Sequence, residues 1–308
     1  MSNVRFITWN MGDNSKSKQL WLSELTQKPE WASLFDPDTA DVIVLSTQED
    51  HRADSLPEAL ASSLLSGWNV HTSIVKGPLD VLKKPFTVKL FVFTRLNRDD
   101  YSVREAHVCF QKQLTFCSKG TAGIALNFAD GNQLVLMGSH FPISPKEEDL
   151  GYQRRIKAIN TSLRNVFDQL ALTNRRNVVA LWGGDMNFRR NTPVQGVVVE
   201  DQLSHALSAL DSPFMEAELM FPPTCKFHAC TKKDCPTCRS RSDEEFIEKC
   251  YDTHREPSHC DRILYYVEGE SVDVTPKAYR SWVTAGTSVE ISDHNLVYAD
   301  FKIDFFSV

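Results

Sequence analysis

Long apolar runs are missing from this sequence of 308 residues. Its apolar stretches are short and strand-like, such as Val42–Leu45 and Val178–Trp182, whereas a membrane-spanning helix needs about 20 apolar residues in succession. No internal repeat and no Gly/Ser-rich or Pro-rich linker divides the chain. These absences argue against an integral membrane protein, a repeat protein and a disordered scaffold. We expect a single domain over residues 1–308.

The sequence also lacks an excess of positive charge. Lys and Arg number 34 against 40 Asp and Glu, so the net charge is −6, which argues against tight nonspecific binding to nucleic acid. No apolar signal segment precedes the first strand pattern, and no prenylation cysteine stands near the C-terminus. We therefore expect a cytoplasmic monomer that binds no nucleic acid. Its eight cysteines are expected to be reduced thiols or metal ligands rather than a disulfide framework.

Short runs rich in β-branched and aromatic residues predict strands. They cover Val4–Trp9, Val42–Thr47, Val88–Thr94, Gly123–Phe128, Leu134–Gly138, Val178–Trp182, Ile263–Val267 and Leu296–Ile303. Helices are fewer: apolar residues at three- and four-residue spacing predict one over about Glu148–Leu172, and shorter ones are predicted at Trp21–Leu25 and Leu56–Leu65. Many strands with interspersed helices predict an α+β or layered α/β fold.

Seven acid, amide or imidazole side chains stand within a few residues of the end of an apolar run. They are Asn10, Glu49, His140, Asp185, Asn187, Asp293 and His294. One such residue alone is usually a turn former, but neighbouring strands place their ends side by side, so seven of them predict a common rim. Oxygen ligands there suit Mg²⁺, and two histidines suit acid–base catalysis. The set predicts a metal-assisted hydrolase of phosphate esters.

Local motifs add detail to this rim. After the strand that ends near Trp182, two glycines are expected to turn the chain. Asp185 would then accept a proton while Asn187 holds a water or phosphate oxygen; an Asx turn is the structural alternative. Asp261 is expected to orient the ring of His294. Arg262 offers bidentate contact with phosphate, or else an ordinary ion pair.

Eight motifs occur in a fixed order: FITWNMG (6–12), TQE (47–49), KGTAG (119–123), SH (139–140), GDMNFR (184–189), FPPTCK (221–226), PSHCDRIL (257–264) and SDH (292–294). Together the chain resembles the inositol polyphosphate 5-phosphatases of the endonuclease/exonuclease/phosphatase superfamily. The GDxN and SDH motifs are shared with the wider superfamily, whereas WNMG, PPTxK and PxxCDRIL narrow the resemblance to the 5-phosphatases. The motifs span nearly the whole chain.

The resemblance implies a two-sheet sandwich flanked by helices in α/β/β/α layers, with the site at one rim. It implies that Glu49 and Asn10 hold Mg²⁺ with Asp293 beside it. It implies that Asp185 and Asn187 activate and steady the attacking water, that Asp261 orients His294, and that His294 and His140 bind the phosphoryl oxygens. Lys119, Lys226, Arg255 and Arg262 would contact substrate phosphates. The implied reaction is in-line attack of water on a phosphomonoester.

The chain departs from the family pattern at Cys225, where a tyrosine usually stands between the threonine and the lysine of FPPTCK. That tyrosine helps to grip the phosphate next to the one cleaved, so the need for a 4-phosphate is open. The region at about 228–250 is longer than in the family and is interpreted as a Cys-rich surface insertion. There Cys230, Cys235 and Cys238 would form a structural Zn²⁺ site, remain free thiols, or include an oxidised pair.

A second segment, Lys76–Phe86, mixes apolar residues with lysines. It would either dip into an anionic membrane surface or pack its leucines inward as a hairpin loop. The sequence as a whole predicts a Mg²⁺-dependent phosphomonoesterase that removes the 5-phosphate of inositol polyphosphates, phosphoinositide lipids or both. A nuclease of the same superfamily is the enzymatic alternative, and a phosphoinositide-binding pseudophosphatase is the non-enzymatic one.

Overall fold

All eight predicted strands are present in the structure, a computed structural model that describes residues 2–12, 29–50, 56–76, 87–110, 117–143, 148–171, 175–194, 197–225, 257–282 and 292–306. The strands are β1 (Ser2–Asn10), β2 (Val42–Asp50), β3 (Asn69–Ile74), β4 (Thr87–Thr94), β5 (Tyr101–Cys109), β6 (Gly120–Phe128), β7 (Asn132–His140), β8 (Asn177–Asp185), β9 (Arg190–Val194), β10 (Val197–Asp201), β11 (Met215–Glu216), β12 (Asp261–Glu268), β13 (Val272–Trp282) and β14 (Leu296–Phe305).

Two six-stranded mixed sheets form a sandwich. The first has the strand order β13-β14-β1-β2-β4-β3 and the second the order β11-β12-β8-β7-β6-β5, while β9 and β10 make a separate ribbon. Successive side chains of β1 point to opposite faces of the first sheet. Val4 and Phe6 join the core between the two sheets, whereas Ile7 and Trp9 join the core between the first sheet and its helices. The predicted two-sheet sandwich flanked by helices is confirmed.

Helices cover the outer faces of both sheets. On the first sheet lie α1 (Pro29–Leu34) and α2 (Leu56–Ser63). On the second lie α3 (Glu148–Ser162), which continues through a π-helical turn (Leu163–Phe167) and a short segment to Leu170, and α4 (Gln202–Ala209). The apolar stripe predicted along the third helix packs on the second sheet. The predicted helix at 21–25 lies outside the described residues. No helix that the structure describes is long and apolar enough to cross a bilayer.

The two glycines before Asp185 do not turn the chain as the sequence suggested. Both lie within β8, where they permit close approach. A Cβ on Gly183 would collide with the ring of Phe6 from the facing sheet, and a Cβ on Gly184 would collide with the backbone of Ser139 on β7. The glycines therefore set the distance between strands just behind the rim.

The expectation of reduced cysteines is wrong for one pair. Cys109, at the end of β5, and Cys117 form a disulfide with a sequence separation of eight residues. Two other described cysteines, Cys225 and Cys260, are free and buried. No motif marked this disulfide in the sequence, because its two cysteines are brought together by the pairing of β5 with β6. The Cys-rich segment at about 228–250, with Cys230, Cys235 and Cys238, lies outside the described residues.

Candidate active site

Strand pairing brings the polar strand ends to one rim. In the second sheet, Asp185 at the end of β8 is paired with His140 at the end of the parallel strand β7. Asp185 is also paired with Asp261 at the start of the antiparallel strand β12. In the first sheet, Asn10 ends β1, which runs parallel to β2. The rims of both sheets therefore contribute side chains to one place.

Asp185 is the centre of this cluster. Its Oδ2 atom accepts a hydrogen bond of 2.8 Å from Asn10 Nδ2 and lies 3.2 Å from His140 Nε2. Its Oδ1 atom accepts from the backbone N–H of Asn187 at 3.1 Å. The carboxylate is only 1% exposed. Burial raises the pKa of Asp185, but the charge of His294 and the hydrogen bond with His140 outweigh it, so the pKa is lowered and the group stays ionised.

Asp261 and His294 form a buried pair beside this carboxylate. His294 Nδ1 lies 2.8 Å from Asp261 Oδ2, and the same oxygen accepts a 2.7 Å hydrogen bond from the hydroxyl of Thr224. Burial lowers the pKa of His294, but the charges of Asp261 and Asp185 outweigh burial and raise it to about 10. The ring is therefore a cation at neutral pH, with Nε2 left to donate. The sequence predicted no role for Thr224, which entered only as a member of the FPPTCK motif.

The first residue of the SDH motif, Ser292, fixes the backbone of this motif through two hydrogen bonds. The Ser292 hydroxyl donates a 2.5 Å hydrogen bond to the backbone carbonyl of Asn10 and accepts one of 3.0 Å from the N–H of His294. The indole of Trp9 also donates to the His294 carbonyl at 3.2 Å. These bonds tie the segment before β14 to the end of β1. Asp293 Oδ1 lies 3.9 Å from His294 Nε2, so this carboxylate also faces the cluster.

Glu49 and Lys119 complete the described part of the rim. Glu49 has a positive φ of 51° at an irregularity in the β2–β4 pairing between Thr47 and Asp50. This conformation is uncommon for a residue with a side chain and is typical of functional sites. Glu49 Oε1 lies 3.8 Å from His140 Nε2 and 4.0 Å from the Lys119 ammonium.

His140 is held neutral by its surroundings. Burial lowers its pKa, and the neighbouring ammonium of Lys119, whose Nζ contacts His140 Nε2, lowers it further. The rim therefore contains one charged imidazole, His294, and one neutral imidazole, His140. Asn187 also has a positive φ, of 55°, and its side-chain amide donates to the Phe141 carbonyl at 3.0 Å, which fixes the loop after Asp185.

The donor set fits a divalent cation. Ligand atoms of Asp185, Asp261 and His294 all lie within 4.8 Å of one another, and the two carboxylates are the members of this set that can bind a cation while the imidazole is protonated. Asp261 Oδ1 is buried and has no hydrogen-bond partner among the described residues. An orphaned carboxylate oxygen beside a second carboxylate is a suitable ligand for a hard cation. Asn10 Oδ1 accepts one bond, from Gly12 N–H at 3.0 Å, and so keeps a lone pair for the same purpose.

Arg262 is not part of this cluster, contrary to the expectation that it contacts substrate phosphate. It follows Asp261 on β12, so it points to the other face of the sheet. Its guanidinium is 1% exposed and pairs with Asp201 at 2.7 Å and with Glu216. It lies at the edge of a different cleft of about 480 Å³. Two carboxylates already satisfy this cation, which makes it a structural residue.

Lys226, Arg255 and residues 77–86 of the segment Lys76–Phe86 lie outside the described residues. The seven strand-end residues predicted from the sequence, together with Asp261 and Lys119, do meet at the rim, as expected for strand ends that lie side by side. What the sequence could not show is the side of each strand on which a residue such as Arg262 points.

Comparison with known proteins gives this arrangement a context. Residues 7–300 match a family model described as endonuclease/exonuclease/phosphatase family 2. The chain belongs to this family. Enzymes of this family are hydrolases and typically use a divalent metal, which agrees with the donor set at the rim.

One curated relative is the type II inositol 1,4,5-trisphosphate 5-phosphatase of Mus musculus. It is 25% identical over an alignment of 236 residues, and the match covers 65% of this chain and 21% of the mouse protein. The chain therefore matches about a fifth of the length of that relative.

Solved structures of other proteins share the fold. The Cimex nitrophorin ferrous NO complex has a TM-score of 0.61 at 18% identity over 99% of each chain. D. rerio TDP2 complexed with a single-strand DNA product has a TM-score of 0.58 at 16% identity, over 98% of this chain and 100% of the other. The human nocturnin catalytic domain has a TM-score of 0.53 at 13% identity, over 98% and 94%. These likenesses show the sandwich alone.

Proposed function

We propose that this chain is a Mg²⁺-dependent phosphomonoesterase that removes the 5-phosphate from inositol polyphosphates, phosphoinositide lipids or both. The observation that carries the proposal is the joint placement of an ionised Asp185 and a cationic His294 at one buried rim. Support for the substrate class comes from the 5-phosphatase motifs and from the name of the mouse relative. Residues 1–308 would form one catalytic domain that carries a Cys-rich insertion at about 228–250.

In this proposal, Asp185 accepts a hydrogen bond from the attacking water, and Asn187 steadies that water. Because the pKa of Asp185 is lowered, its main contribution is to orient the water as an ionised acceptor. Mg²⁺, when bound, would neutralise charge on the phosphoryl group and make the water more acidic. Glu49, Asn10 and Asp293 would hold the ion, and the orphaned oxygen of Asp261 is a further candidate ligand.

The two histidines and the basic side chains would stabilise the charge that develops on the phosphoryl oxygens. His294, oriented by Asp261, would donate through Nε2, and His140 would donate a second hydrogen bond. Lys119, within reach of Glu49 and His140, would contact substrate phosphate together with Lys226 and Arg255. Arg262 is removed from this set because its partners are Asp201 and Glu216.

The proposal places the enzyme in the cytoplasm, with lipid substrates reached at the membrane surface through Lys76–Phe86. Changing Leu79 and Leu82 to serine should then reduce turnover on phosphoinositide vesicles and spare soluble inositol phosphates. Equal loss on both substrates would count against membrane contact. A structural Zn²⁺ at Cys230, Cys235 and Cys238 is a separate expectation, and metal analysis of chelator-washed protein tests it.

The first experiment measures phosphate release from inositol 1,4,5-trisphosphate in Mg²⁺, with EDTA in a parallel sample, and identifies the remaining positional isomer. We expect Mg²⁺-dependent loss of the 5-phosphate. Asp185→Asn should abolish turnover, whereas Asp38→Asn, the same change at an exposed site, serves as the matched control. Failure on soluble and vesicle-borne substrates alike would refute the proposal. Nicking of plasmid DNA in its place would support the nuclease alternative.

A further inference from the structure

A pair of thiols lies directly behind the Asp261–His294 pair. The sulfurs of Cys225 and Cys260 are 3.1 Å apart, and both residues are buried. Cys260 immediately precedes Asp261, and Cys225 immediately follows Thr224, the residue that donates to Asp261. Neither thiol has a part in the proposed hydrolysis.

A partly buried guanidinium contacts both sulfurs. Arg189 Nη1 lies 3.1 Å from Cys260 Sγ and 3.7 Å from Cys225 Sγ. Among the residues that the structure describes, these sulfurs are the only hydrogen-bond acceptors of that guanidinium, although thiols are weak acceptors. The arginine therefore contacts both thiols with the same nitrogen.

The backbone connects the thiols to the rim. Cys225 exchanges two backbone hydrogen bonds with Ser258, of 3.2 and 2.7 Å, and the Cys260 carbonyl accepts from the N–H of Met186 at 2.7 Å. Cys225 also forms a bridge with His294. A displacement of either sulfur is therefore transmitted to Asp261, to His294 or to the loop after Asp185.

We propose that Cys225 and Cys260 are a reversible dithiol switch that closes to a disulfide on oxidation by a peroxide. A disulfide bond is about 2.05 Å long, so the sulfurs need to approach by only about 1 Å. The chain already contains one disulfide, between Cys109 and Cys117. The second pair exists because cysteine stands at position 225, where the 5-phosphatase pattern has tyrosine.

The reaction with hydrogen peroxide is balanced as follows. The sulfur of Cys260, the closer of the two to Arg189, attacks one peroxide oxygen. The O–O bond breaks, water leaves with the thiol proton, and a sulfenic acid remains. The sulfur of Cys225 then displaces the hydroxyl group, which leaves as a second water. The two sulfurs lose two electrons to the peroxide, and dithiothreitol reverses the change by thiol–disulfide exchange.

Closure is expected to lower turnover by displacing Asp261 relative to Thr224 and His294. This consequence rests on the proposed function, whereas formation of the bond does not. Trypsin separates the two cysteines cleanly, because peptide 191–226 contains only Cys225 and peptide 256–262 contains only Cys260. The linked pair of peptides is therefore a direct measure of closure in the wild-type protein.

The experiment treats the whole chain with graded hydrogen peroxide, alkylates the remaining thiols, and measures linked peptides and turnover in the same samples. We expect the linked pair to accumulate as turnover falls severalfold, and both to be reversed by dithiothreitol. Cys225→Ser should retain its own starting turnover under peroxide. The double variant Cys109→Ser/Cys117→Ser, which removes the other disulfide, should still form the link.

Two results would overturn the switch. One is the absence of the linked peptides at peroxide levels that oxidise methionines of the same protein. The other is a linked peptide pair with unchanged turnover. If the reduced protein hydrolyses no phosphate ester at all, the proposed function fails, and peptide mapping still decides whether the dithiol closes.

Discussion

Asn10 and Asp185 belong to different sheets, and the side-chain amide of Asn10 donates a 2.8 Å hydrogen bond to Asp185 Oδ2. This bond joins the two rims of the sandwich at the central carboxylate of the candidate site. Because Asp185 is buried, the loss of a donor leaves its charge less well compensated. Asn10, on the first sheet, therefore helps to hold the carboxylate of Asp185 in place on the second sheet.

Asn10→Ala is therefore expected to lower turnover roughly 10- to 100-fold, the usual effect of removing an orienting partner in a metal site. The free energy of unfolding should fall by about 1–3 kcal/mol. Initial rates and urea unfolding measure the two effects. Asn165→Ala, at an exposed position, is the control, and full turnover in Asn10→Ala would show that the amide has no part in the chemistry.

The charge of Asp261 should control the titration of His294. In metal-free protein, an NMR titration of the ring is expected to give a pKa of about 10, and Asp261→Asn should lower that pKa markedly. A raised pKa stabilises the fold below about pH 6.5, and this stabilisation is lost as the pH rises toward about 10. Asp261→Asn should therefore show a flatter decline of stability over that interval. Asp293→Asn, which removes a weaker influence, should shift the pKa less.

Arg262 should matter for stability and not for substrate binding. Arg262→Met leaves Asp201 and Glu216 without their common cation, and breaking a buried pair in this way costs about 3–5 kcal/mol of unfolding free energy. Adding Asp201→Asn and Glu216→Gln should recover much of the loss. The KM for inositol phosphate should stay the same in every variant that folds. A large rise in KM with normal stability would restore the phosphate-contact role.

Acid should weaken the fold through Asp201. Burial raises the pKa of Asp201, but Arg262 outweighs burial, so the pKa is lowered. The stabilisation is present above the unfolded-state pKa of about 3.9 and is lost as the pH falls through the lower folded-state value. Asp201→Asn keeps the cap on α4, where Oδ1 accepts from Leu203 N–H, and should flatten the loss below pH 4. Denaturant unfolding from pH 6 to pH 2 measures how the free energy of unfolding changes with pH, with Asp38→Asn as the control. The same pH dependence in Asp201→Asn and in the wild type would argue against the ion pair.

The spacing between the sheets depends on Gly183. Gly183→Ala brings a methyl group into the ring of Phe6, and such overpacking costs about 1–3 kcal/mol. Phe6→Leu should reduce this penalty because it removes the colliding edge of the ring. A double-mutant cycle on unfolding free energies measures the coupling. Strict additivity of the two changes would show that the glycine is needed for some other reason.

Strand positions could be predicted from the sequence because the apolar runs are flanked by polar residues, and each run became a strand. The rim could be predicted because chemistry-bearing residues such as Asn10 and Asp185 follow those runs directly. Edge strands such as β3 and β5 were missed, since their half-exposed patterns lack continuous apolar character.

Two kinds of contact could not be predicted from the sequence: those set by the face of the sheet to which a side chain points, and those between distant loops. Arg262 follows Asp261 by one position, yet the pleat sends it to Asp201 and Glu216. The meeting of Cys225 with Cys260 and the anchoring of Asp261 by Thr224 arise from a bridge between distant loops. The periodicity of a sequence predicts the secondary structure of a single segment. It does not predict which distant loop packs against that segment.

The order of strands in the first sheet has a consequence for biosynthesis. β14 (Leu296–Phe305) lies between β13 and β1, and His294 stands two residues before it, so β1 cannot complete its pairing until β14 has been made. A nascent chain that ends before residue 292 has Asp185 and His140 but lacks the imidazolium. Long-range pairing of this kind forms slowly. The chain thus remains without a complete site until synthesis has passed β14, and partial chains are expected to be inert toward phosphate esters.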